Sequence, residues 1–197
     1  MELEKIDKRM FEYLGHLRFG KVDYNDLPWN DYLLRPSSDW QFPVDLEDYF
    51  KVVFFENEDI IKNKKVLDVG CEYGNKIPWF DKMNPNELTC IDPNAKDIYI
   101  ANHVGQLVDT PTTCVVSTAE SFDLDADTVF MLSVNHHLED EFLVYNKINC
   151  KYLVIDTWTD RDTNYSEVVQ FLSKKYELEV KKNIKENIVL LRFKRYE

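Results

Sequence analysis

The sequence predicts an α/β fold built on a mostly parallel sheet, and two stretches carry that prediction. Lys64–Asn75 (KKVLDVGCEYGN) has the pattern of a buried strand, a glycine turn and the start of a helix. Glu87–Pro93 (ELTCIDP) is a second short apolar strand, and its aspartate, Asp92, lies 22 residues after Gly70. A strand, a helix and another strand at this spacing form a βαβ unit, which makes the two strands parallel.

The glycine turn is the first candidate site. Glycines at 70 and 74 allow unusual backbone angles and let a ligand lie against the main chain. Their spacing matches neither the G-x-G-x-x-G dinucleotide pattern nor the phosphate-binding loop that ends in Lys-Ser/Thr. Asp92, at the tip of the next strand, can accept hydrogen bonds from the vicinal hydroxyls of a ribose. A helix-capping role is the alternative for this aspartate.

Length and composition indicate one globular domain with an N-terminal extension. The chain has 197 residues, 44% of them hydrophobic, and a net charge of −12. This charge disfavours a broad nucleic-acid-binding face. Basic residues gather near the C-terminus, either as a local RNA-binding patch or as a solvated face. Four widely spaced cysteines form no zinc pattern, so we expect reduced thiols and no metal. We find neither a membrane span nor a signal peptide, and expect a cytoplasmic protein.

The N-terminal extension, residues 1–62, is predicted to be helical. A helix is expected over Leu3–His16, and a second over residues 45–61, with Asp45 at its start. A proline-broken loop separates them. Three aromatic residues of this extension are candidates for a lid over the site or for core packing: Trp40, Phe42 and Tyr49.

The chain after Asp92 alternates between predicted helices and strands. The fourth strand is expected over Asp127–Ser133 and leads directly into a polar segment, Val134–Asp140. A terminal hairpin is expected to turn at Asn183, and Asn164 is expected to cap the helix before it. The other predicted elements are helices over 76–83, 94–106, 139–147 and 166–175, and strands over 112–116, 151–158, 176–182 and 187–193.

The stretch Asp68–Gly74 (DVGCEYG) resembles motif I of the class I S-adenosylmethionine-dependent methyltransferases, an acidic residue, a hydrophobic residue and then G-x-G-x-G. Glu72 replaces the middle glycine. The resemblance extends from Lys64 to the end of the chain. It implies a three-layer Rossmann-like methyltransferase fold over residues 63–197, with a mostly parallel seven-stranded sheet whose last strand is antiparallel.

The same resemblance implies the site residues and the cofactor, S-adenosylmethionine. His136 and His137, in the segment after the fourth strand, are candidates for a general base or for orienting a nucleophile, and packing or capping is their alternative role. The implied cofactor contacts are Asp68, Gly70, Cys71, Glu72, Tyr73, Gly74, Asp92, Pro93, Thr118, Ala119, Glu120 and Ser133.

We therefore expect a methyltransferase that acts on a small-molecule acceptor. Such an enzyme needs little acid-base equipment, since positioning the acceptor does most of the work. Segments SDWQF, LDVGC, IDP and DTVF resemble the tRNA wobble-uridine carboxymethyltransferase group, which implies an RNA acceptor and a carboxylated cofactor as one alternative. A non-catalytic protein that keeps the fold and binds the cofactor is another, motivated by Glu72. An oxidoreductase is disfavoured by the glycine spacing.

Overall fold

The computed structural model describes residues 46–158, 165–185 and 187–196, which form a seven-stranded sheet covered by helices. Predictions for Leu3–His16, Trp40, Phe42, Asp45 and Asn164 lie outside the described residues. In chain order the elements are α1 (Leu46–Phe55), α2 (Glu58–Ile61), β1 (Lys65–Val69), α3 (Ile77–Lys82), β2 (Glu87–Asp92), α4 (Ala95–Gly105), β3 (Thr112–Val116), β4 (Asp125–Met131), a 3-10 helix (Asn135–His137), α5 (Glu141–Lys147), β5 (Asn149–Trp158), α6 (Tyr165–Leu172), β6 (Tyr176–Lys185) and β7 (Ile188–Arg195).

The sheet has the strand order β3-β2-β1-β4-β5-β7-β6. Strand β1 pairs in parallel with both β2 and β4, whereas β7 is antiparallel to both of its neighbours. The prediction of a mostly parallel seven-stranded sheet with an antiparallel last strand is confirmed. Because the order reverses between β1 and β4, a crevice forms beyond the carboxyl ends of these strands, where open α/β sheets bind ligands.

Two hydrophobic cores, one on each face of the sheet, make the fold three-layered. Alternate residues of a strand point to opposite faces. Val66 and Phe130 point to one face, where they pack with residues of helices α1, α2, α3 and α4 in the first core. Leu67 and Val129 join α5 and α6 in the second core. The central strands are therefore buried on both sides, which explains their β-branched and apolar sequences.

An aromatic cluster fixes α1 against the sheet beside the crevice. The ring of Phe54 packs edge-to-face on Phe80, with centroids 4.8 Å apart, and Phe80 packs in the same way on Phe130 at 5.1 Å. Such pairs add to the stabilisation from apolar burial. The cluster holds the cavity-facing Tyr49, one helical turn before Val53, in a fixed position.

The helices before and after β1 differ from their predicted lengths. The stretch 45–61, predicted as one helix, contains two helices. The side-chain amide of Asn57 donates to the Val53 carbonyl at 2.6 Å and interrupts the helix there. Helix α3 has six residues rather than eight.

Several predicted boundaries of strands β4 to β7 were wrong. Strand β4 ends at Met131, before Ser133, because Ser133 adopts a left-handed backbone with φ of 57°. The terminal hairpin turns after Lys185 rather than at Asn183, since β6 continues through register shifts at Leu178/Val180 and Asn183/Lys185. Each shift places an extra residue in the strand and lengthens it relative to its partner.

Candidate functional site

The carboxyl ends of β1, β2 and β4 open onto one cavity of about 710 Å³. This volume is in the range of small-molecule and cofactor sites. Most of the predicted site residues line it. The lining residues are Tyr49, Phe50, Val69, Gly70, Glu72, Asn75, Lys76, Ile91, Asp92, Pro93, Asn94, Ser117, Thr118, Ala119, Glu120, Ser121, Leu132, Ser133, Val134, His137, Leu138 and Glu139.

The turn after β1 depends on its glycines for packing as well as for backbone angle. Gly70 and Gly74 have φ of 70° and 84°, which disfavour residues with a side chain. A Cβ added at Gly70 would lie 2.3 Å from Val134 Cγ2, and one at Gly74 would lie 2.8 Å from Ile77 Cδ1. The backbone N–H groups of Gly70 and Cys71 both donate to the Ile91 carbonyl. The turn is therefore tied to the end of β2.

Glu72 occupies the left-handed position that the resemblance assigns to a glycine. Its φ is 49°, and its backbone N–H donates to Asp92 Oδ2 at 3.1 Å. Its carboxylate lines the cavity, where Asn75 Nδ2 lies 3.5 Å from Glu72 Oε2. Burial raises the pKa of this carboxyl, Lys76 opposes the effect, and Asp92 adds to it. The glycine-like backbone is kept, and an acidic side chain is added to the cavity wall.

Asp92 lies at the end of β2 with its carboxylate held in place. Oδ1 accepts from the Asn94 backbone N–H at 2.8 Å while Oδ2 accepts from Glu72, and the residue is 8% exposed. A carboxylate offers about four lone-pair directions, so two described bonds leave capacity for a pair of hydroxyl donors. Pro93 and Asn94 continue the cavity wall beside it.

A buried ion pair lies beneath the turn. Lys76 Nζ is 3.3 Å from Asp68 Oδ1 and donates to the Gly70 carbonyl at 2.9 Å. Burial raises the pKa of Asp68 to about 6 even though Lys76 opposes the rise. Burial also works to lower the pKa of the Lys76 ammonium, but Asp68 and Glu72 outweigh it and raise that pKa. Sequence reasoning did not identify Lys76, whose position as a single lysine after the turn carried no signal.

Four residues of the predicted cofactor set do not line the cavity. Asp68 and Cys71 are fully buried, and Gly74 packs against Ile77 and α4. The side chain of Tyr73 packs against the first core. Asp68 is thus placed to support the turn through Lys76 rather than to face a ligand.

The loop after β3 brings Thr118, Ala119 and Glu120 to the cavity, as the resemblance implied. The backbone N–H of Ser117 donates to the Asp92 carbonyl at 3.0 Å, which joins this loop to β2. Lys147 Nζ donates to the Glu120 and Phe122 carbonyls from α5. The loop is therefore held from both sides.

The segment after β4 places Ser133 and His137 on the cavity wall. His137 is exposed, and its backbone N–H donates to the Val134 carbonyl at 2.8 Å. His136 lies in the same 3-10 helix, but its side chain is outside the described part of the structure. The structure thus brings His137, one of the two predicted histidines, to the cavity.

A hydrogen-bonded group that the sequence did not reveal joins α1 to the ends of β4 and β5. The Tyr49 hydroxyl donates to Asp156 Oδ2 at 2.7 Å, and the Ser133 hydroxyl donates to the same oxygen at 3.1 Å. The Ser133 backbone N–H donates to Oδ1. Burial raises the pKa of Asp156, against the bonds from Ser133 and Tyr49. Asp156 is 1% exposed, yet Tyr49 and Ser133 both line the cavity.

Metal ligands and membrane-spanning helices are two further features of interest. Within residues 46–158, 165–185 and 187–196, no cluster of three or more His, Cys, Asp or Glu side chains is arranged to hold a metal ion. No helix in that part of the chain is long and apolar enough to cross a membrane.

Comparison with known proteins agrees with the fold. Residues 67–149 match the family model described as a methyltransferase domain. Curated proteins yield no match. Among solved structures, magnesium protoporphyrin IX methyltransferase from Synechocystis with bound SAM is similar over 100% of this chain and 98% of its own, with TM-score 0.67 and 15% identity.

Two other structures show the same fold. A SAM-dependent methyltransferase from Aquifex aeolicus is 16% identical with TM-score 0.63, covering 75% of this chain and 89% of its own. A putative S-adenosylmethionine-dependent methyltransferase from Listeria monocytogenes is 12% identical with TM-score 0.65, covering 78% of this chain and all of its own.

Proposed function

We propose that the chain is a class I S-adenosylmethionine-dependent methyltransferase, and that it transfers a methyl group from S-adenosylmethionine to a small-molecule acceptor. The observation that carries the proposal is the hydrogen bond from the Glu72 backbone N–H to Asp92 at the cavity wall. This bond connects the glycine turn with the aspartate at the end of β2, the two sequence features that indicated the cofactor.

The cavity residues fit the parts of the cofactor. Asp92 keeps lone pairs for two ribose hydroxyls, and Thr118 to Glu120 form the wall for the adenine. Gly70 and Glu72 form the wall for the methionine part, where the acid of Glu72 suits an ammonium group. When bound, the cofactor supplies an electrophilic methyl group on a sulfonium. The protein's part is to bind, orient and exclude water.

A small acceptor is favoured over RNA by the charges on the surface. Three of the basic side chains near the C-terminus are paired with acids: Lys182 with Glu56, Arg192 with Asp59, and Lys194 with Glu179. Such pairs offer little free positive charge to a phosphate backbone, and the net charge of the chain is −12. These basic residues therefore support the solvated-face interpretation.

Calorimetric titration with S-adenosylmethionine, S-adenosylhomocysteine and NAD tests the cofactor. We expect saturable binding of the first two at one site per chain and no heat with NAD. Binding of NAD alone would favour an oxidoreductase.

Transfer is tested with methyl-labelled cofactor and, in separate reactions, an extract of small metabolites or of RNA. We expect label in the small-metabolite products. Label in RNA, or activity with a carboxylated cofactor alone, would favour the RNA-modifying alternative. Tight cofactor binding with no transfer in any reaction would favour a non-catalytic protein.

A further inference from the structure

The group formed by Tyr49, Ser133 and Asp156 lies at the part of the cavity farthest along the sheet from Asp92. Strand order places β4 and β5 on one side of β1, and β2 and β3 on the other. The residues proposed to bind the cofactor's ribose and adenine follow β2 and β3. The acceptor must therefore approach from the side of β4, β5 and α1, where this group lies.

Tyr49 presents a hydrogen-bond acceptor to this side of the cavity. Its hydroxyl proton is directed to Asp156, because the two oxygens are 2.7 Å apart and the carboxylate can only accept. The phenol oxygen has two lone pairs; the neighbouring Ser133 hydroxyl can use one of them, the other can accept from a ligand, and the residue lines the cavity. A molecule beside Tyr49 that carries an N–H or O–H can therefore donate to the phenol oxygen.

The charges around the cavity select among such molecules. Its lining carries the carboxylates of Glu72, Asp92, Glu120 and Glu139, with Asp156 directly behind Tyr49. Among the described lining residues, Lys76 carries the opposite charge, and it already lies 3.3 Å from Asp68. Glu72, Asp92 and Glu120 are assigned to the cofactor, so the acids left to act on an acceptor are Glu139 and, behind Tyr49, Asp156. These acids disfavour an acceptor that bears a carboxylate or phosphate and favour a basic one.

We propose that the methyl acceptor is a small amine, that Tyr49 is a catalytic residue receiving a hydrogen bond from the amine nitrogen, and that Asp156 is a positioning residue acting through Tyr49. The inference rests on the proposed function. The acceptor reacts as the neutral amine, whose nitrogen lone pair forms the new N–CH3 bond while the electron pair of the S–CH3 bond passes to sulfur. The proton released from the nitrogen goes to the Tyr49 oxygen as the Tyr49 proton passes to Asp156.

The surroundings of Asp156 suit it to this exchange. Burial raises its pKa, so its carboxylate takes up a proton more readily than an exposed aspartate does. The groups that act on it are Tyr49 from α1, Ser133 after β4 and the Lys76 ammonium below the turn. Asp68 also acts on Tyr49.

The test compares Tyr49→Phe and Asp156→Asn with the wild-type protein. Labelled S-adenosylmethionine and a small-metabolite extract identify the product class, because N-methyl products are stable to base and bind a cation exchanger, whereas methyl esters are cleaved by base. The purified product's amine precursor then serves for kinetics. Tyr176→Phe is the matched control, since Tyr176 is also buried and its hydroxyl contacts Cys150 and Ile148 away from the cavity.

We expect an N-methylated product. Tyr49→Phe and Asp156→Asn should lower kcat about ten-fold or more, in line with loss of a proton-accepting group, and change the S-adenosylmethionine Kd less than three-fold. Tyr176→Phe should keep the wild-type kcat. A base-labile ester product, or full kcat in Tyr49→Phe, would overturn the inference and leave the proposed function standing. Cofactor binding without any transfer would overturn both.

Discussion

The two halves of the cavity are built in different ways. The half formed by β1 to β3 is made from residues close together in sequence: Glu72 reaches Asp92 over 20 positions, and Lys76 reaches Gly70 over six. The half formed by α1, β4 and β5 depends on a hydrogen bond between Tyr49 and Asp156, which are 107 positions apart. Local spacing can therefore reveal the first half, while only the fold brings the second together.

The difference also concerns what holds each half. Backbone groups and glycine geometry shape the first half. Its shape therefore depends on a small number of positions, and substitutions at those positions are poorly tolerated. Side chains hold the second half, so its chemistry can change without altering the sheet. Such a division would let proteins that share this fold keep one half of the cavity and differ in the other.

The largest expected effect tests the ion pair that supports the first half. Lys76→Met removes the partner of Asp68, which receives no other hydrogen bond from the described residues and is fully buried. We expect the free energy of unfolding to fall by about 3 to 5 kcal/mol, measured by urea denaturation. The control is Lys65→Met, since Lys65 pairs with Glu87 at the surface, and a loss of at most about 1 kcal/mol is expected. Equal losses would contradict the buried pair.

The pH dependence of stability tests the same pair. Because the pKa of Asp68 is raised from 3.8 to about 6 in the folded protein, the folded state binds its proton more tightly than the unfolded state. The contribution of this group to stability is therefore fully present below pH 3.8 and is lost as the pH rises through about 6. Asp68→Asn should remove that component, so the difference in unfolding free energy between variant and wild type should change between pH 4 and 7. A constant difference would contradict the raised pKa.

The next effect concerns the packing of the turn. Gly70→Ala should destabilise the protein by about 2 to 4 kcal/mol, because a left-handed backbone and an overpacked contact each cost about 1 to 2 kcal/mol or more. The contact is with Val134, so Val134→Ala in the same chain should recover part of the loss. Denaturation of both variants and of Val134→Ala alone measures this coupling. If the changes in unfolding free energy of the two single variants simply add up in the double variant, the Gly70 position is limited by backbone angle alone.

The third effect tests ligand binding without a large change in fold. Asp92→Ala should weaken S-adenosylhomocysteine binding by about 1 to 3 kcal/mol, the scale for losing hydrogen bonds to a charged group. Calorimetry gives the affinity, and Asp123→Ala is the control, since Asp123 is exposed and does not line the cavity. Unchanged affinity in a folded Asp92→Ala protein would refute the ribose assignment.

The sequence sufficed for the sheet and for the first half of the cavity because the signals were local. Strand β3 begins and ends at the predicted residues, β2 ends at Asp92, one residue before the end of its predicted stretch, and the turn lies directly before α3 as expected. Lys76 was missed although its partner Asp68 is near in sequence, because a single lysine after a glycine turn forms no distinctive pattern. Asp156 was missed because it lies in the middle of an apolar strand, and its role follows only from the approach of α1 and Ser133.

The smallest expected effect concerns Glu72, where the first half departs from its family pattern. Because Glu72 has φ of 49°, a residue with a Cβ is strained there, at a cost of about 1 to 2 kcal/mol. Glycine removes this strain but adds about 0.5 to 1 kcal/mol of chain entropy to the unfolded state. The free energy of unfolding of Glu72→Gly should thus lie within about 1 kcal/mol of the wild-type value. Glu72→Ala keeps the strain and loses the side-chain contact with Asn75. We expect the glycine variant to be the more stable of the two in urea, and both to keep the N–H bond to Asp92. Glu72→Gln should weaken cofactor binding modestly if the acid contacts the ammonium, as measured by calorimetry. An alanine variant as stable as the glycine variant would show that the left-handed turn at Glu72 is not strained.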